Sequence, residues 1–80
     1  MELRDAIKER ILQLCAERNI TVNKLCIISG VTQSTINNIV NSGSKNPTVS
    51  TIKKLCDGAD ITLAQFFDSP LFSELEQEIH

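Results

Sequence analysis

Residues 33 to 41 carry four side-chain amides, Gln33, Asn37, Asn38 and Asn41, and two hydroxyls, Ser34 and Thr35, with no formal charge among them. A solvated helix face usually prefers Glu and Lys, so an uncharged polar face asks for a chemical reason. An amide both donates and accepts. Gln or Asn can therefore pair bidentately with N6 and N7 of adenine in the major groove, and Ser or Thr can address several base edges. The chemistry on offer is recognition of hydrogen-bonding edges.

Covalent chemistry is poorly provided for. The single histidine, His80, has no spaced partner, no glycine-rich run could cradle a phosphate, and no nucleophile stands in a pattern with a base. Cys15, Cys26 and Cys56 are an odd number without a C-x-x-C pair, and each has apolar neighbours. They read as small buried hydrophobes in a reducing cytoplasm, which leaves no metal, no cofactor and no small-molecule substrate in the expectation. The reading is of a non-enzyme.

The elements that must position the amide face are all helical. Leu3, Ile7, Ile11, Leu14 and Cys15 recur at spacings of three and four, predicting an amphipathic helix over about 3–18. Thr21 caps a second, short helix to Ser29 with Leu25 and Ile28 inward, and Gly30 follows as the residue suited to a left-handed end. Thr32 caps a third helix from Gln33 to about Asn41, with Ile36, Ile39 and Val40 on its buried side. After the loop from Ser42 to Pro47, Thr48 starts a fourth helix with Val49, Ile52, Leu55 and Cys56 inward, stopping near Gly58. Thr62 caps a short fifth carrying Leu63, Phe66 and Phe67. Ser69-Pro70 predicts one more helix, to Ile79, with Leu71, Phe72, Leu75 and Ile79 on one side and Glu74, Glu76 and Glu78 on the other. Nothing alternates with a period of two, so the fold class is all-α.

A short helix, a turn at Gly30-Val31 and a second helix make a helix-turn-helix unit. From Arg10 to Phe67 the chain resembles the Cro/repressor-type (Xre-like) helix-turn-helix family. The residues that carry the likeness are Ile11 and Leu14, then Ile20 to Cys26, then Ser29 to Ile36, and Asn46-Pro47-Thr48 opening the fourth helix. The resemblance implies a compact five-helix, lambda-repressor-like domain that binds double-stranded DNA with its third helix in the major groove. Position by position it makes Gln33, Ser34 and Asn38 base readers, with Thr35 and Asn37 as second choices. Phosphate contacts would come from Thr21, Val22 and Asn23 and from Asn41, Ser44, Lys45 and Asn46. Four positions depart from the family's pattern. Val22 replaces a polar side chain, Lys24 stands where a capping-box acid is usual, and Cys15 and Val40 occupy the places of a buried Arg–Glu pair.

Length and charge frame this reading. A chain of 80 residues is one modest core, burying roughly 63% of its unfolded surface. The 41% hydrophobic and 22% charged content argues against disorder, and no apolar run is long enough for a membrane span. No signal-peptide pattern opens the sequence, so a cytoplasmic location is expected. The formal charge of −2 is unevenly spread: through Phe67 eight bases face six acids, Asp68 follows, and Glu74, Glu76 and Glu78 make the tail acidic. The division is therefore a body of residues 1–68 and a tail of residues 69–80. With Lys45 the only loop cation, a monomer should bind DNA weakly, which points to a homodimer on a two-fold operator; the family resemblance implies a transcriptional regulator, expected to be a repressor. Leu71, Phe72, Leu75 and Ile79 are the candidates for holding that dimer, with the acidic face turned away from DNA, unless the stripe packs on its own core. The alternative function is an antitoxin-like interaction module that keeps the fold without reading bases.

Overall fold

A computed structural model describes residues 1–42 and 46–79. Five helices follow one another: α1 (Leu3–Arg18), α2 (Val22–Ser29), α3 (Gln33–Asn37), α4 (Val49–Ala59) and α5 (Leu63–Phe67). No strand occurs among the described residues. Four threonines begin α2 to α5 in the same way, Thr21, Thr32, Thr48 and Thr62 each accepting the amide three residues on. Each hydroxyl satisfies an N–H that the helix itself cannot, and an Ala there would cost about 1 kcal/mol. At Thr62 the Gln65 side chain also accepts the Thr62 amide, closing a capping box.

The ends are equally local. Asn19, Gly30 and Asp60 take the left-handed conformation at φ 55°, 69° and 58°, where Gly, Asn and Asp meet the least resistance. The helices thus turn tightly and close over one core. Ile11, Leu14, Leu25, Ile36, Leu55 and Phe66 are its largest fully buried side chains, with Cys26 and Cys56 filling smaller spaces. Burying each large one contributes roughly 1.5–3 kcal/mol.

Three sequence expectations need correction. The inward stripe of α2 is Val22, Leu25, Cys26 and Ser29, the i, i+3, i+4, i+7 set, and Ile28 falls off it and is 46% exposed. Val49 is 68% exposed because it is the first residue of α4 and projects past the end of the core that Ile52, Leu55, Cys56 and Ala59 fill. α4 does stop near Gly58, one residue beyond it, but Gly58 is not what ends it. The helix passes through it to Ala59 and ends at Asp60, since the missing side chain is what lets α4 lie against Ser29 of α2.

The third correction concerns the tail. Pro70–Phe72 makes one 3₁₀ turn and the expected helix to Ile79 does not form. That turn already brings the Phe72 ring to 5.0 Å from Phe67 and 6.1 Å from Phe66, so its apolar anchor is docked. Extending the helix would gain little against the cost of nucleating so short an element, and Glu74, Glu76 and Glu78 would crowd its negative C-terminal end. The Glu76 amide instead donates to the Met1 carbonyl at 3.0 Å, tying the tail to the start of α1.

Arg10 fixes α5 to α1. Its Nε donates to the Phe66 carbonyl at 2.7 Å and its Nη2 to the Gln65 carbonyl at 3.0 Å, while the guanidinium lies 5.9 Å from the Phe66 ring centre. A cation on the last carbonyls of a helix satisfies both the orphan acceptors and the dipole.

Candidate nucleic-acid interface

α3 continues beyond Asn37 as a π-helical turn, Asn38–Ser42, so the third helix spans the predicted length but widens halfway. Such turns concentrate at functional sites. Ile36 and Ile39 are buried and Val40 packs half-buried on the core, which fixes the opposite side outward. Gln33, Asn37 and Asn41 follow one another at intervals of four along that outer side, with Ser34 and Asn38 beside them, all five exposed. The structure thus brings together most of the predicted reading set on one face. Asn41 Nδ2 donates to Asn37 Oδ1 at 3.2 Å, linking two of them. That pairing was not foreseen, although two amides four residues apart are a sufficient signal.

Thr35 is different. Its hydroxyl lies 2.8 Å from Thr32 Oγ1, its amide donates to the same oxygen at 3.3 Å, and the residue is half-buried. It is engaged in capping α3. Ser34 Oγ also lies within 3.4 Å of Thr32 Oγ1 but remains exposed.

At α2 the Thr21 hydroxyl accepts the Lys24 amide at 3.0 Å, and the Leu25 amide donates to the Thr21 carbonyl at 3.1 Å. The amides of Val22 and Asn23 precede these bonds and by helix geometry have no acceptor within the helix, so they can face an anion. Val22 itself packs half-buried on the core, which restricts its offer to the backbone N–H. Asn23 and Lys24 are exposed beside it, and Lys24 adds the cation that the missing acid leaves room for.

Of the second phosphate set, Asn41 and Asn46 are exposed, while Ser44 and Lys45 lie outside the described residues. Asn46 shares an open cavity of about 540 Å³ with Glu2, Arg4, Glu76 and Glu78. Glu76 and Glu78 of the tail therefore line the same cavity as Asn46. Among the tail's apolar residues, Leu71, Phe72 and Leu75 are half-buried against their own chain, and Ile79 is 85% exposed.

The three cysteines are free and buried in the core. Burial pushes each thiol above its ordinary range; at Cys15 the neighbouring Cys26 adds to this, and at Cys56 Asp57 does. No group of three or more His, Cys, Asp or Glu among the described residues is arranged to hold a metal ion. No described helix is long and apolar enough to cross a membrane.

The comparisons with known proteins agree with this geometry. Residues 10–70 match the family model of the Cro/C1-type HTH DNA-binding domain. Among solved structures, the prophage Lp1 protein 11 superposes with a TM-score of 0.82 at 33% sequence identity, over 94% of this chain and 100% of that one. No curated protein matches in sequence. With the family model covering more than half of its length, and a helix pair whose second member carries an exposed amide face, the chain belongs to the Cro/C1-type helix-turn-helix DNA-binding family.

Proposed function

We propose that this DNA-binding regulator is a sequence-specific repressor that reads the major groove through Gln33, Ser34 and Asn38, with Asn37 contributing and Thr35 holding the helix start. The observation that carries the reading is the outer side of the third helix: Gln33, Ser34, Asn37, Asn38 and Asn41 are exposed, uncharged and able both to donate and to accept. The α2 start, with Thr21, Val22 and Asn23, and the residues Asn41, Ser44, Lys45 and Asn46 would hold phosphates and set the register. So few cations make a monomer weak, and a homodimer on two half-sites supplies the missing contacts. Ile79 and the outer sides of Leu71 and Leu75 are what remain for a second copy, Phe72 being docked on its own core. The expected setting is cytoplasmic, without enzymatic activity, cofactor or small-molecule substrate.

Titration of the chain against a labelled duplex over a range of salt tests this reading. Affinity should fall linearly in log–log form, with an exponent of about 0.9 for each phosphate neutralised. A partner-binding module without DNA contacts would show no duplex binding at any salt.

A further inference from the structure

Two acids of the tail, Glu76 and Glu78, lie beside Asn46, a residue that the proposed reading gives to phosphate. Glu76 and Glu78, together with Glu2, line the open cavity of about 540 Å³ whose lining also includes Asn46, and Arg4 is the single base among those residues. Arg4 is already engaged, its Nε lying 3.0 Å from Glu2 Oε2. Contacts that hold the tail in position include the Glu76 amide on the Met1 carbonyl and the Phe72 ring against Phe66 and Phe67. Among the described lining residues three carboxylates stand against one guanidinium, and their field carries over about one Debye length, about 10 Å at 0.1 M salt. A phosphate at Asn46 would lie within reach of that field.

We propose that the tail is an electrostatic brake on DNA binding: Glu76 and Glu78, tied down beside Asn46, repel the phosphate that this side of the protein must accept. The inference rests on the phosphate role proposed above for Asn46. It explains why the tail is pinned through its backbone while its carboxylates stay exposed: the amide of Glu76 holds the chain and its side chain remains free to act through space. The brake is set by charge at a fixed place. Neutralising these two acids should release it more than neutralising two others.

The test compares three full-length chains on a random-sequence duplex, read by fluorescence anisotropy at low and high salt. They are the natural sequence, Glu76→Gln with Glu78→Gln, and a control, Glu9→Gln with Glu74→Gln, which removes the same formal charge from exposed residues that do not line the cavity. The cavity variant should bind about three- to tenfold more tightly at about 50 mM salt, with the gap closing near 0.5 M as the field is screened, and the control should gain less than half as much. Binding by all three chains with equal affinity, or a control that gains as much as the cavity variant, would overturn the brake and leave DNA binding intact. Binding by none of them would overturn the phosphate reading and the brake together.

Discussion

Gly58 of α4 and Ser29 of α2 meet without room for a methyl group. A Cβ on Gly58 would lie 2.0 Å from Ser29 Oγ, 3.0 Å from its Cβ and 3.1 Å from its Cα. The Ser29 hydroxyl is enclosed there with no hydrogen-bond partner among the described residues. Since α2 leads directly through Gly30 into α3, the helix proposed to read DNA, this contact bears on where that helix is held.

Gly58→Ala should therefore destabilise the domain by about 1–3 kcal/mol, overpacking outweighing the better helix propensity of Ala, which is worth about 1 kcal/mol. In a Ser29→Ala background the 2.0 Å clash is gone and the penalty should shrink by at least half. Ser29→Ala alone should be neutral or stabilising, because it removes an unpaired buried hydroxyl. Thermal denaturation of the four chains checks all three statements, a change of 1 kcal/mol shifting the midpoint by roughly 4–8 °C in a domain of this size.

Arg10 offers a second stability test. Arg10→Ala removes a forked pair of bonds to the Gln65 and Phe66 carbonyls and the cation over the ring. A loss of about 2–3 kcal/mol is expected, and Arg10→Lys should recover less than half of it because an ammonium lacks the planar fork. Urea midpoints are the measurement, and a Lys variant as stable as the natural chain would show that charge alone is sufficient.

Stability should also depend on alkaline pH through the thiols. Cys15, Cys26 and Cys56 have folded pKa values raised by burial, so the folded state keeps protons that the unfolded chain has released. The corresponding stability is fully present below the unfolded thiol pKa, about 8.5, and is lost as pH rises through the folded values. Unfolding free energies measured from about pH 7.5 to 9.5 should fall, by up to about 1.4 kcal/mol per pH unit for each thiol. Replacing Cys15 and Cys26 by Ala should flatten that slope. A profile that stays level in the natural chain would contradict the burial argument.

At the interface, Gln33→Ala and Asn38→Ala should each cost about 1–3 kcal/mol on a selected site and almost nothing on random DNA. Lys45→Ala should weaken both alike and lower the salt exponent by about one per monomer. Parallel titrations on the two duplexes separate the roles, and equal losses on both for Asn38→Ala would remove it from base reading.

What the sequence made legible was local chemistry. Four threonine caps and the Gly30 turn act within four residues of themselves, so residue type and order suffice to place them. The role of Gly58 was not legible because helix-stopping and close packing use the same absence of a side chain, and only the distance to Ser29, far away in sequence, separates them. The tail failed as a helix for a similar reason: its periodicity was correct, but docking Phe72 on Phe66 and Phe67 satisfied it within one turn. The outward amide face was legible from residue type. The pairing of Asn37 with Asn41, the capping duty of Thr35 and the nearness of Glu76 and Glu78 to Asn46 emerged only in three dimensions.

The most direct test of sequence-specific reading by the third helix is selection of bound duplexes from a random pool, followed by competition of the enriched sequence against random DNA. The account predicts a two-fold symmetric motif with half-sites about 34–36 Å apart, preferred at least about 10³-fold, and lost in the Gln33→Ala, Asn38→Ala double variant. Retention of no common motif after repeated rounds, with all duplexes bound alike, would contradict it.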